Sequence, residues 1–484
     1  MPSSEKITTF PILFSRLALA LLTACLCLLP GTNTALPFSM HDTIVIMTMI
    51  AFVCSTVARV ADDDLPAGCE RWVWAFAILL SAYGWAIANF PSAMVDRSSG
   101  SISMLDVDAW SAFGSVDQLA STSAMTDVSA VLMLLLMAIY FGRDRISRVI
   151  IAVAVTMSGL VASLCGLWLR GTNDLGALWN VLHVPSSVFG LFWYHGNAAA
   201  YLNLTWPVGL WLFITLIHER ERKVARQILF VFAAVSVLVQ VLAVLVNVSK
   251  MGHAVLLIEW ILLTIAFLLV KKQHDGYGVV MSRFVMIAML CLVVMGTSAW
   301  MTGANDGWKR WEFLSAHRFD DPARRHVAAM AIEIGKDDKW TGRGPGTFEW
   351  ISPHYAASDP VLMAGRWRHA HNDFAQFFAE WGIIGYVIVF GTLLCPLMLL
   401  LRSMASALRV RDLPKKSMQR SLGLSFFVIA MTCLLAHSLI DFPMQIMASQ
   451  FQFVVLAGLA FALSLPPHRL VSTAYQIETK DIRS

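Results

Sequence analysis

The run from His369 to Gly385, His-Ala-His-Asn-Asp-Phe-Ala-Gln-Phe-Phe-Ala-Glu-Trp-Gly-Ile-Ile-Gly, sets histidines, carboxylates and amides at the entrance of an apolar segment. An imidazole is suited to take a proton from a hydroxyl near neutral pH. His371 is therefore the candidate general base, with Asp373 or Glu380 expected to orient it and His369 and Asn372 in support. Ionisable groups are costly to keep at a membrane, which marks such a cluster as functional. The competing reading is that they cap and hydrate a helix end. Gly382 and Gly385 are spaced for close helix contact. A metal reading of His369, His371 and Asp373 lacks a further ligand nearby in sequence, so no metal is expected.

A second set of residues suits an anion. Arg310, Arg318, Arg324, Arg325, Arg343, Arg366 and Arg368 all fall in one long polar stretch. Guanidinium matches phosphate oxygens with a fork that Lys lacks. Arg325 and Lys250 are the expected phosphate ligands, followed by Arg343; the alternative is solvated charge or contact with anionic lipid heads. Arg366 and Arg368 flank Trp367 and suit sugar faces. Asn197, beside His195 at the end of a span, offers an amide to a sugar or diphosphate, or else caps a helix. His437 and Asp441 share a helix face if the helix runs that far, and Pro443 then breaks the chain. A mutual hydrogen bond there would shape the cavity, with a direct part in catalysis as the equal alternative. Glu259, between Ile258 and Trp260 inside a span, must face a partner or a cavity.

These groups need a membrane frame. Of 484 residues, 57% are hydrophobic and 14% charged, against about 25% charged in soluble domains. An all-α integral membrane protein follows, with about twelve spans at roughly 13–30, 42–60, 72–90, 126–141, 147–167, 197–217, 226–247, 252–270, 281–300, 383–401, 420–439 and 446–464. Lys and Arg concentrate in alternate loops, among them Arg143, Arg145, Arg148, Arg220, Arg222, Lys223, Lys271, Lys415 and Lys416. The opposite short loops carry only Arg97, Arg170 and Lys250. The positive-inside rule puts both termini in the cytoplasm, with the first span retained as an anchor. The net charge of +4 belongs to those loops and is no nucleic-acid signal.

Two outward loops are long. The first, roughly 91–125, is expected to be a lid or loose cover. The second, 301–382, lies between the ninth and tenth spans and carries the opening motif. Within it Val327, Met330, Ile332 and Ile334 suit an amphipathic helix on or near the membrane face. The cluster Gly342-Arg343-Gly344-Pro345-Gly346 must turn. One membrane domain, 1–484, with an outer cap is the simplest architecture. Cysteines lie in spans, apart from Cys69 in a cytoplasmic loop, with no CxxC, so neither a disulfide framework nor an external thiol nucleophile is indicated. No Walker-type loop is present.

His371-Asn372, nine residues, Gly382, two residues, Gly385 resembles the signature of the O-antigen ligase and O-antigen polymerase superfamily, which includes protein O-oligosaccharyltransferases. Gly342–Phe348 resembles its glycine-rich block, Tyr194–Leu202 its asparagine-bearing block and His437–Pro443 its late His/Asp-Phe-Pro block. The resemblance runs from about 190 to 445. One departure is Ser249-Lys250-Met251-Gly252, where many members carry an Arg.

The resemblance implies an inverting, metal-independent glycosyltransferase of GT-C-like fold, without cofactor. It implies transfer of a glycan from a polyprenyl diphosphate carrier to an acceptor hydroxyl of a glycan, lipid A–core or protein. The setting implied is the periplasmic face of a bacterial inner membrane. A polysaccharide or lipid transporter is the distant alternative, and would show broken helices or paired charges mid-membrane.

Overall fold

The computed structural model describes residues 4–25, 38–61, 66, 68–97, 101–104, 114–172, 188–217, 224–271, 322–357, 361–362, 367–389, 391 and 415–465. Among these the protein is almost wholly helical. The helices are α1 (Ser4–Cys25), α2 (Phe38–Ala61), α3 (Cys69–Asn89), α4 (Gln118–Gly142), α5 (Arg145–Thr172), α6 (His195–Ile217) and α7 (Val224–Val246). They continue as α8 (Lys250–Lys271), α9 (Pro322–Asp337), α10 (Phe348–Ala356), α11 (373–389), α12 (Lys415–His437) and α13 (Met447–Ser464). A short antiparallel hairpin, β1 (Ala93–Asp96) with β2 (Ser101–Met104), follows α3.

Nine of the described helices are long and apolar enough to cross a membrane. They match the expected spans from 42–60 through 252–270 and the final two. The expected span 281–300, and the part of 383–401 beyond Gly391, lie outside the described residues. The span expected at 126–141 begins earlier, because Asp117 caps α4 by accepting the Ala120 N–H at 3.0 Å.

α6 is the axis of the bundle. It is buried along nearly all its length and packs against α5, α7, α8, α12 and α13. With lipid on the outside, the polar groups of such a helix must find partners within the protein. Tyr201 donates to Ser158 Oγ at 2.8 Å, and Gln452 Nε2 donates to both. Thr205 donates to Gln240 Oε1 at 2.8 Å. Glu259, whose partner the sequence leaves open, accepts the Trp206 indole N–H at 2.7 Å, and Trp206 stacks on Trp260.

At one end of the bundle an apolar core separate from that of the spans holds a cap together. It combines Ala93 and Val116 from the first long loop with Val327, Met330, Ala331 and Ile334 of α9, Phe348 and Ile351 of α10, and Ala370, Ala375 and Ala379. The first loop is thus no loose cover where it is described. Val116 N–H donates to Arg343 O at 3.0 Å, and Ser121 donates to Pro345 O at 2.8 Å. Arg97 reaches Asp117 at 2.9 Å and lies over the Trp350 ring at 4.4 Å. The α9 face also differs from expectation in one residue. Val327, Met330 and Ile334 turn inward on the cap core, and Ile332 points out, 41% exposed.

Candidate active site

The glycine-rich turn and the histidine motif form one backbone unit. Within α11, Gly382 takes φ +60°, a conformation open to glycine at no steric cost. The helix ladder breaks there, and residues 339–344 fill the gap. Ala379 O and Glu380 O accept from Arg343 N and Gly344 N, both at 2.9 Å, while Ile383 N and Ile384 N donate to Lys339 O and Trp340 O at 2.8 and 3.1 Å. A Cβ on Gly382 would lie 2.4 Å from Trp340 O, and one on Gly342 would lie 2.6 Å from Gly382 N. The expected close helix contact holds for Gly385, which lies against Tyr83 of α3, and is corrected for Gly382, which opens the helix to a loop.

Glu380 locks the same joint. Its carboxylate accepts Gly346 N at 3.0 Å, Phe348 N at 3.3 Å and Gln376 Nε2 at 3.0 Å. Burial outweighs these donors and pushes its pKa up to about 7. Asp373 serves a second joint, accepting Met444 N at 2.9 Å and Gln445 Nε2 at 3.1 Å. Burial raises its pKa to about 8. Asn372 caps α11 by accepting Ala375 N at 3.0 Å and donates to Leu439 O at 2.8 Å. Both acids are thus committed to backbone, and neither orients His371 as the sequence suggested.

Asp441 does. Its Oδ1 lies 3.3 Å from His371 Nδ1, across 70 residues of sequence. Burial alone would raise a carboxyl, but the His371 and His437 imidazoles and the Arg324 charge outweigh it and hold Asp441 well below the usual carboxylate range. An ionised carboxylate only accepts, so it favours the tautomer with the proton on Nδ1, and in that neutral imidazole Nε2 keeps its lone pair. His437 Nε2 stands 3.8 Å from Asp441 Oδ2; α12 ends at His437, so the pair meets across the helix end and not along one face. Pro443 begins a single 3-10 turn, Pro443–Gln445.

His371 is held with little freedom. It is the only non-glycine residue with positive φ, +50°, among the described residues, a conformation that costs on the order of 1–3 kcal/mol and persists where surroundings enforce it. Its ring meets Tyr194, Phe442 and Trp367 edge-on, with centroids 6.1, 4.8 and 6.3 Å away. His369 stacks on Phe442 at 4.4 Å, and burial lowers its pKa to about 3, so it is a neutral wall of the site.

The cation brought to this group is Arg324, not Arg325. Arg324 Nη2 donates to the Tyr194 hydroxyl at 2.5 Å, and Nη1 lies 3.9 Å from Asp441 Oδ2. Arg325, the next residue on α9, is exposed. A helix turns about 100° per residue, so adjacent arginines face different ways. Arg343 faces Tyr355 instead, and its buried Nε has no partner among the described residues. Arg368 pairs with Glu349 at 3.3 Å. Arg310, Arg318 and Arg366 lie outside the described residues.

Lys250 opens α8, half-buried, where Ser249 Oγ accepts Gly252 N at 3.1 Å. This turn adjoins the start of α6, since Asn247 Nδ2 donates to His195 O at 3.0 Å. Asn197, in the first turn of α6, is no cap: both its amide atoms are buried and have no partner among the described residues. Tyr194 is the member that sequence reasoning passed over, whereas Arg324 was among the arginines it named and was set behind Arg325. The signal for Tyr194 was its place at the head of the asparagine-bearing block.

Fold and site together define a polytopic membrane protein in which a His–Asp pair, its carboxylate buried and its imidazole part-exposed, sits beside an arginine at the capped end of the bundle. Residues 235–390 match the family model described as O-Antigen ligase. The match runs from the middle of α7 through α8, the cap helices and His371 to the end of α11, less than half of the chain, and supports membership of the O-antigen ligase superfamily, whose role is in glycan transfer. No curated protein matches the chain.

Proposed function

We propose that this protein transfers a glycan from a polyprenyl diphosphate carrier to an acceptor hydroxyl, as a twelve-span, GT-C-like inverting glycosyltransferase that needs no metal. The observation that carries the reading is the His371–Asp441 pair, with Nε2 free to accept a proton and a guanidinium close by. The acceptor oxygen attacks the anomeric carbon from the face opposite the diphosphate and its proton passes to His371 Nε2. The bond from C1 to the diphosphate oxygen breaks, and the diphosphate leaves with the electron pair. Asp441 stabilises the imidazolium so formed. Fixed cations offset the charge that grows on the leaving group. Arg324 is best placed for this, with Lys250 and Asn197 lining the neighbouring turn as further contacts to the donor; Arg325 and Arg343 are the weaker candidates.

On this reading the capped end faces the periplasm, both termini are cytoplasmic and the membrane is a bacterial inner membrane, in a pathway of cell-surface or exopolysaccharide synthesis. Ligase, polymerase and O-oligosaccharyltransferase differ in the acceptor alone. The test is made with purified full-length protein in detergent, a polyprenyl diphosphate-linked oligosaccharide and each acceptor class in turn. Wild type is expected to release polyprenyl diphosphate and glycosylate one class, and His371→Gln neither. Release by His371→Gln at the wild-type rate would refute the role given to His371.

A further inference from the structure

The hydroxyl of Tyr194 is fixed from several sides. Its ring stacks on Phe442 with centroids 5.3 Å apart and a 16° tilt, lies 4.7 Å from His195, and meets His371 edge-on. Gly196 makes room for it: a Cβ there would come within 2.4 Å of the Tyr194 ring and 2.5 Å of Asp441 Oδ2. The phenol immediately precedes α6, outside the span. The guanidinium that it meets at 2.5 Å comes from α9 in the cap. Burial, together with the Asp441 charge, raises the phenol well above its ordinary range, so it keeps its proton. It can then donate toward Asp441 while accepting from Arg324. The Arg324 side chain is 34% exposed and its ion pair with Asp441 is long, at 3.9 Å. Such a pair holds a flexible side chain weakly. Nη1 also donates to the Ile440 carbonyl at 3.3 Å, and the contact to the phenol, at 2.5 Å, is the shorter hold on the guanidinium.

We propose that Tyr194 is a positioning residue for Arg324: its hydroxyl, held by the Phe442 stack, fixes the guanidinium so that the remaining N–H groups meet the diphosphate of the donor lipid. This rests on the diphosphate reading given above, and deepens it. Arginine recognises phosphate through oriented N–H pairs, so an unfixed guanidinium keeps its charge but loses geometry.

The experiment is a double-mutant cycle on purified full-length protein, with a long-chain polyprenyl diphosphate lacking sugar as the probe. Tyr194→Phe removes one oxygen and keeps the stack. A hydrogen bond to a charged group contributes about 1.5–3 kcal/mol, so Tyr194→Phe and Arg324→Ala should each weaken binding by roughly tenfold or more. In the Arg324→Ala background, Tyr194→Phe should add less than about twofold, because the phenol then has no cation to place. A structural role for the phenol would weaken binding equally in both backgrounds.

Wild-type binding by Tyr194→Phe, or an equal further loss in the Arg324→Ala background, overturns the inference and leaves the diphosphate reading intact. Undiminished binding by Arg324→Ala refutes the diphosphate role of Arg324 itself. Should Tyr194→Phe fail to accumulate in the membrane, Phe442→Leu asks the same question, since it removes the stack that holds the phenol and leaves the Arg324 guanidinium in place. Weaker binding in the wild-type background with no further loss in the Arg324→Ala background supports the inference; wild-type binding, or an equal loss in both backgrounds, overturns it.

Discussion

Asp441→Asn changes one oxygen for an NH2 group at the centre of the site and leaves its shape almost unchanged. The carboxylate is 2% exposed and lies 3.3 Å from His371 Nδ1. A hydrogen bond to a charged group contributes roughly 1.5–3 kcal/mol, and each 1.36 kcal/mol is a factor of about ten in rate. Loss of that bond alone predicts a transfer rate lower by about 10- to 150-fold. Two unit charges about 4 Å apart at an effective dielectric constant near 20 attract by roughly 4 kcal/mol, so the imidazolium loses more and the lower figure is a floor. The asparagine amide also permits the wrong imidazole tautomer, which adds to the loss. Arg324 and His437 lose their shared anion, so the melting temperature should fall as well. The assay is release of polyprenyl diphosphate by purified protein, with the folded fraction fixed by size-exclusion chromatography. A rate within threefold of wild type would mean that Asp441 does not orient His371 for catalysis.

Two further outcomes follow from the cap. Gly382→Ala places a Cβ 2.4 Å from Trp340 O at φ +60°, a strain and overlap that should destabilise the protein by about 2–5 kcal/mol, read as a lower melting temperature and poor membrane accumulation. The cap also makes stability depend on pH. Burial raises the folded pKa of Asp373 to about 8 and that of Glu380 to about 7, above unfolded values near 4. Their stability contribution is present at low pH and is lost as pH rises through these values. His369, lowered to about 3, acts oppositely, and its contribution is lost as pH falls from about 6.5. Of these groups the carboxyls alone titrate between about pH 6.5 and 8, so the melting temperature should drop across that window. Asp373→Asn should flatten the drop; an unchanged slope would remove Asp373 as its source.

Most of the frame was legible from residue type alone. Long apolar runs read as spans because lipid admits little else, and the polar stretch between them read as a cap. His371 and Asp441 were both visible as chemistry-bearing residues, but not as a pair, since 70 residues separate them and only the return of α12 to the cap joins them. Asp373 and Glu380 looked like its partners because they are near in sequence; the joints they serve, at Met444 and at the Gly346–Phe348 turn, are made by backbone that no side-chain pattern announces. Arg324 and Arg325 are indistinguishable until the face of α9 is known. The break at Gly382 was hidden for a related reason: a glycine in an apolar run reads equally as a packing site and as a hinge.

The claim that His371 carries glycan transfer is tested most directly by the surface and secreted polysaccharide profile of cells lacking this gene, complemented with wild type or with His371→Ala at equal membrane levels. The account predicts that wild type restores a polysaccharide and His371→Ala does not, the lost product identifying the acceptor class. Full restoration by His371→Ala would contradict it and bring the transporter reading forward.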